Sequence, residues 1–241
     1  MRLSRTILAL FLLAGIFGCK SLGGTFDHSR SLVRAGALDG KSPIAVLPPP
    51  EDAQMPGLEA RIEQAVSEAI RSGRTQEVVP AKRFYEMLAR HKGYREHFIS
   101  WLVRYRESGV LEKDFMPAYA KASGVRYLLL LRDAEIRRER MDVRTAVEEA
   151  RCGICRVDPN NIWGNQLIVL AELHDLSRGE VIWKGIGEAN VITSRASKLD
   201  FGVVQYNLRQ PSLGTHSAQL VAYVANGIAR GIGESGENSQ R

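Results

Sequence analysis

The sequence predicts an α+β fold, a mixed α/β sandwich in which helices pack on a small mixed sheet ending in a three-strand antiparallel meander plus a C-terminal helix. Three observations carry this. Between Pro56 and Ala122 apolar residues recur at helical spacing. From Val125 the period becomes extended, and Leu167, Val169, Ala171 and Leu173 alternate along one face. Between Ser217 and Ile232 the helical period returns, with Val221, Val224, Ala225, Ile228 and Ile232 on one side. With 44% hydrophobic residues, the chain has the material for a buried core.

The N-terminus sets the address. Arg2 and Arg5 make a positive n-region, and Ile7 to Phe17 form an uncharged apolar core of signal-peptide length. That core falls short of the roughly 20 apolar residues a membrane-spanning helix needs. Ile16-Phe17-Gly18-Cys19 resembles the bacterial lipoprotein lipobox. The resemblance implies removal of residues 1–18 and lipidation of Cys19, with acyl chains holding the chain on a membrane. Lys20 stands where an inner-membrane retention signal would carry Asp, which by resemblance to sorted lipoproteins favours the outer membrane, with the body facing the periplasm. An ordinary secretory signal is the plainer reading of the same stretch.

Residues 19–42 hold Gly23-Gly24, Gly36 and Gly40 among polar residues without an apolar period, and read as a flexible tether. The domain is expected over 43–233. Ile44-Ala45-Val46-Leu47, stopped by Pro48-Pro49-Pro50, is a buried strand. Pro56 opens a first helix, with Leu58, Ile62, Val66 and Ala69 as its stripe and Gly73 at its end. Glu77-Val78-Val79 is a short strand, and Pro80 starts a helix through Phe84, Met87 and Leu88. Helices follow over His97 to Glu107 and Glu112 to Ala122, offering Phe98, Leu102, Tyr105, Phe115 and Tyr119 to the core. Val125 to Leu131 is an apolar strand running on to about Arg138. The turn Ser177-Arg178-Gly179-Glu180 joins the strand ending at Leu176 to its antiparallel neighbour, Val181 to Ile192. Trp163 and Trp183 flank these strands and pack against the sheet. Residues 141–162 form an insertion between meander strands, and 234–241 a disordered tail.

Pro43-Ile-Ala-Val-Leu-Pro-Pro, Gly124-Val-Arg-Tyr-Leu-Leu and Leu173-His-Asp-Leu-Ser-Arg-Gly-Glu-Val-Ile-Trp-Lys-Gly resemble landmark segments of bacterial envelope lipoproteins with a TolB N-terminal-like, or anticodon-binding-like, fold. Relatives include the GNA-type, curli-secretion and LpoB lipoprotein families. The resemblance spans roughly Pro43 to Gly187 and implies a non-enzymatic accessory or scaffold in envelope assembly, secretion or peptidoglycan synthesis. The chain departs from it by the enlarged helical region Phe84 to Ala122 and by the insertion, so no partner site carries over.

Three cysteines are present; with Cys19 assigned to lipid, Cys152 and Cys155 remain as a pair. In an oxidising compartment they read as a small disulfide stapling a loop; a thioredoxin-type redox pair flanked by Arg151 and Arg156 is the alternative. Two Cys are half a structural zinc site, and none of the five His completes it, so no metal or cofactor is expected. Arg83, Arg90, Lys92, Arg95 and Arg104, with Trp101 among them, make the middle helices basic. They form either a face for anionic lipid, peptidoglycan or an acidic partner, or a solvated surface with its aromatics turned inward. Arg132, Arg137, Arg138, Arg140 and Arg144 form a second basic group, offset by Glu135, Glu139, Glu148 and Glu149. His174, opposite Leu173, is expected on the sheet surface. Gly231-Ile-Gly233-Glu-Ser-Gly236 matches a dinucleotide fingerprint but ends a helix instead of opening one. The nucleophile elbow, P-loop, HExxH and EF-hand patterns are absent. Arg2 and Arg5 account for two of the formal +6 charges, and the remaining excess suits an anionic envelope surface and not nucleic acid. A homo-oligomeric secretion component is a further reading.

Overall fold

The structure is a computed structural model describing residues 23–27, 29–34, 38–52, 54–140, 155–157, 163–193, 195–200, 203–207, 212–214 and 216–237. The strands are β1 (Gly23–Asp27), β2 (Arg30–Arg34), β3 (Ile44–Leu47), β4 (Val78–Pro80), β5 (Tyr127–Arg140), β6 (Cys155–Val157), β7 (Trp163–Asp175), β8 (Glu180–Thr193), β9 (Arg195–Asp200) and β10 (Val203–Asn207). The helices are α1 (Leu58–Gly73), α2 (Ala81–Ala89), α3 (Tyr94–Ser108), α4 (Met116–Ser123) and α5 (Ser217–Glu237). A seven-stranded sheet has the order β1-β8-β7-β5-β3-β4, with β2 also paired to β8. The fold is α+β with a mixed sheet, as the sequence predicts. The chain divides into two compact units. The larger spans 27–136, 167–189 and 217–241; the smaller spans 1–26, 137–166 and 190–216.

In the larger unit β3 is the innermost parallel strand, paired with β4 on one side and β5 on the other. All four of its residues are fully buried, which is why it reads as an unbroken apolar run. Successive side chains of a strand point to opposite faces. Accordingly Ala45 and Leu47 of β3 and Leu128 and Leu130 of β5 join one cluster with Phe84, Leu88, Phe98, Trp101, Leu102, Tyr105, Met116 and Tyr119 of α2, α3 and α4. Ring packing orders this cluster: Phe84 meets Phe98 edge-on at 5.2 Å, and Trp101 stacks on Tyr105 at 5.4 Å. Gly109 and Gly124 end α3 and α4 in the left-handed region, each donating its N–H back into the helix at 2.8 Å.

Helices α1 and α5 pack on each other. The buried stripe of α1 is Leu58, Ile62, Val66 and Ile70; Ile70 takes the place expected for Ala69, which is only partly buried. In α5 Leu220, Val221, Val224, Ala225, Ile228 and Ile232 are buried. This helix reaches β8 because Gly187 has no side chain. A Cβ there would lie 2.7 Å from Val224 and 2.9 Å from Ile228. The helix runs to Glu237, past the Gly233 boundary expected for the tail.

The hairpin is as expected: β7 and β8 are hydrogen-bonded neighbours joined through Leu176–Gly179, and a turn that short joins antiparallel strands. Trp183 is buried. Two expectations change. The stretch expected as a tether carries β1 and β2. Strand β2 lies antiparallel along β8, with Arg30 opposite Ile186 and Arg34 opposite Trp183, and the Trp183 Nε1–H donates to Ser31 Oγ at 3.0 Å. An unpaired edge of backbone donors and acceptors is what recruits such a segment, even one without an apolar period. Phe115, expected in the core, is 46% exposed; it precedes α4, and its ring rests 4.3 Å from His97 instead.

In the smaller unit β10 pairs with β6 in parallel and with β9 antiparallel. Residues 1–18, Cys19 and Cys152 lie outside the described residues, as does most of the 141–162 insertion.

Candidate functional site

Of the basic surface expected on the middle helices, Arg83, Arg90, Lys92, Arg95 and Arg104 are exposed. Arg83 comes within 3.9 Å of Glu77, and Arg104 within 2.9 Å of Glu112. Trp101 does not belong to this surface. It is 1% exposed, because it shares a helical face with Phe98, Leu102 and Tyr105, and that face meets the sheet. Here the inward-turned reading of the aromatics holds. Arg106, from the same helix, is partly buried and donates to the Pro48 carbonyl at 2.5 Å. Behind the surface, Tyr119 is buried with its hydroxyl 2.5 Å from His97 Nδ1, and burial pushes the phenol up to about 12.

A second constellation, missed in the sequence, gathers on Glu172 of β7. Glu172 and His174 project to the face opposite Leu173 and are 5% and 1% exposed, so His174 is not at the sheet surface where it was expected. Helix α3 lies over them: Tyr105 donates its hydroxyl proton to Glu172 Oε2, and the Tyr105 and His174 rings meet edge-on at 5.5 Å. Lys184 Nζ donates to Glu172 Oε1 at 2.8 Å and Arg132 to the same oxygen at 3.3 Å. The Arg132 guanidinium also stands over the Tyr105 ring at 5.4 Å. His174 Nε2 is 3.6 Å from Glu172 Oε2, beyond hydrogen-bond length.

Burial alone would raise the Glu172 carboxyl, but its neighbours His174, Lys184 and Tyr105, together with the Lys184 charge, outweigh burial and hold it well below the usual carboxylate range. Burial, and then the hydrogen bond to Glu172, push the Tyr105 phenol up. A carboxylate this strongly ionised and a phenol this reluctant to ionise are poor proton carriers at neutral pH. Their arrangement suits a tie between α3 and the strands β5, β7 and β8. The sequence signal that could have found it was Glu172 and His174 interrupting an apolar strand two residues apart, beside Lys184 on the paired strand.

A third group clasps the entry to β3. Arg126 donates to Asp39 Oδ2 at 2.7 Å and to Asp175 Oδ2 at 3.0 and 3.2 Å. Asp39 accepts from the Ser42 and Lys41 N–H groups and the Ser42 hydroxyl, and its own N–H donates to the Tyr127 hydroxyl at 3.1 Å. Burial opposes ionisation of Asp39, but these hydrogen bonds and the Arg126 charge prevail and lower it to about 2.

Among the second basic group, Arg132 is thus engaged with Glu172, and Arg137 donates to Gln166 Oε1 at 2.7 Å. Cys155 opens strand β6, opposite Val204 of β10. No group of His, Cys, Asp and Glu among the described residues is arranged to hold a metal ion.

No family model matches the chain, and no curated protein matches it. Among solved structures, it is similar to a PelC dodecamer from Paraburkholderia phytofirmans in space group C2, with 16% identity and a TM-score of 0.40, covering 85% of this chain and 99% of that one. It is also similar to a PelC dodecamer from the same organism in space group P6, with 15% identity and a TM-score of 0.39, covering 84% and 97%.

Proposed function

We propose that this chain is an outer-membrane lipoprotein, tethered through lipid on Cys19, whose α+β body works in the periplasm by binding and not by catalysis. Its role is that of an accessory or scaffold in envelope assembly, secretion or peptidoglycan synthesis. One observation carries the reading: the order of Arg2 and Arg5, the apolar run Ile7 to Phe17, and Cys19 directly after Gly18. Confinement to a membrane raises the effective concentration of the body for anything else held there, so modest affinity suffices. The exposed Arg83, Arg90, Lys92, Arg95 and Arg104 supply the binding face, suited by charge to an acidic protein surface or to peptidoglycan.

The test has two readouts. Palmitate labelling in cells should mark the wild-type chain and not Cys19→Ala, and the variant should leave the outer-membrane fraction. In-cell crosslinking should then capture an envelope component, with a several-fold lower yield from Arg90→Ala/Lys92→Ala/Arg95→Ala. An unlabelled wild type distributed like a soluble protein would overturn the anchor. Crosslinks solely to further copies of the chain would favour the homo-oligomeric reading.

A further inference from the structure

Arg74, the residue after α1, carries a cation for which the described residues supply no countercharge. Its side chain is partly buried, its NH1 reaches Gln76 Oε1 at 3.4 Å, and no carboxylate among the described residues lies within ion-pair distance. Burial holds its pKa below the ordinary arginine value, as expected for a guanidinium stripped of water without compensation. Beside it a cleft of about 450 Å³ opens between the C-terminal turn of α1 and the later turns of α5. Small residues, Gly73, Ala229 and Gly233, keep it open; Arg74, Arg230 and Asn226 supply its polar lining. None of the lining residues is acidic. A Cβ on Gly233 would lie 2.8 Å from Arg74 NH2, so a side chain there would displace the guanidinium.

We propose that this cleft binds a phosphate group, with Arg74 as its principal contact and Arg230 and Asn226 on the facing helix. Guanidinium donors form a fork matched to paired oxygens. A phosphate spreads three or more acceptor oxygens around its centre and so meets donors on both walls, whereas the two oxygens of a carboxylate lie in one plane. The site accepts free inorganic phosphate or the phosphate of a lipid headgroup, and it does not depend on the function proposed above.

The experiment uses the full chain, carrying Cys19→Ala so that it stays unlipidated, in a phosphate-free buffer. Titration with inorganic phosphate, followed by the ³¹P linewidth and by the thermal midpoint, should saturate. Chloride at matched ionic strength should not reproduce it. Arg74→Gln should weaken binding at least tenfold while the far-ultraviolet dichroism is unchanged. Cosedimentation with phosphatidylglycerol against phosphatidylcholine vesicles separates the sources: an Arg74-dependent preference for the former assigns a headgroup, and its absence beside saturable phosphate binding assigns the free anion. Should Arg74→Gln not fold, Gly233→Ala keeps the charge and displaces the guanidinium, and it should weaken binding too. Absence of saturation, or an equal response of wild type and the folded variants, overturns the proposal.

Discussion

Glu172 shows how a buried charge is made tolerable: two cations and a phenol converge on one carboxylate that water scarcely reaches. Removing the charge leaves Lys184, Arg132 and Tyr105 facing a neutral group. We expect Glu172→Gln to cost about 2–4 kcal/mol, at the lower end because Arg132 and Lys184 keep access to water. The folded-state pKa lies below the unfolded value of 4.5. The stabilisation is therefore complete above that pH and is lost as pH falls from it towards the depressed folded value. Urea midpoints at about pH 7, 5 and 3 should show the gap between wild type and Glu172→Gln shrinking only at the most acidic point. A gap independent of pH would show that shape, and not charge, is what the site needs. Trp101 makes a second comparison: Trp101→Ala should cost about 3–5 kcal/mol by emptying the ring cluster. Arg95→Ala, a few residues away on the solvent side, should stay within about 0.5 kcal/mol. Both follow from helical position, which parts neighbours in sequence into core and surface.

Strand β8 meets three kinds of neighbour: the hairpin partner β7, the edge strand β2, and helix α5 across one face. In its Trp183-Lys-Gly-Ile-Gly run, Gly187 sets how close α5 can come, whereas a Cβ on Gly185 would meet the Trp183 ring. Gly187→Ala would drive a methyl group into Val224 and Ile228, and should lower stability by about 1–3 kcal/mol through overpacking. Pairing it with Val224→Ala should return part of that loss, measured as a double-mutant cycle by denaturant unfolding. If the two changes simply add, the helix is free to shift and the close approach is not a constraint. That β7 and β8 form a hairpin was legible, because alternation and a Ser-Arg-Gly turn are local signals. That β8 also takes β2 on its open edge was not. Backbone pairing needs no side-chain pattern, and the segment bearing Gly23, Gly24 and scattered polar residues carried none.

At the scale of the molecule, the consequence is that the N-terminal segment belongs partly to the folded body. A chain beginning at Cys19 should unfold at a distinctly higher urea midpoint than one beginning at Pro43. The shorter chain loses the Ser31–Trp183 hydrogen bond, the β2–β8 pairing and the bonds Asp39 makes to Arg126 and Tyr127. Equal midpoints would restore the reading of that stretch as a plain tether. The reach of an anchored body would shorten accordingly, since paired residues cannot extend as coil. The sequence by itself determined the fold class, most element positions and the apolar faces of α1, β7 and α5, because periodicity is written in neighbouring residues and burial follows from it. It also displayed Cys19 and the basic residues of the middle helices. Only the tertiary structure decided that Phe115 faces outward, that Glu172 and His174 are covered by α3, and that Arg74 stands at a cleft without a carboxylate. Each of these depends on which distant element lies opposite, and such pairings are set by packing across the sheet, which no local period records.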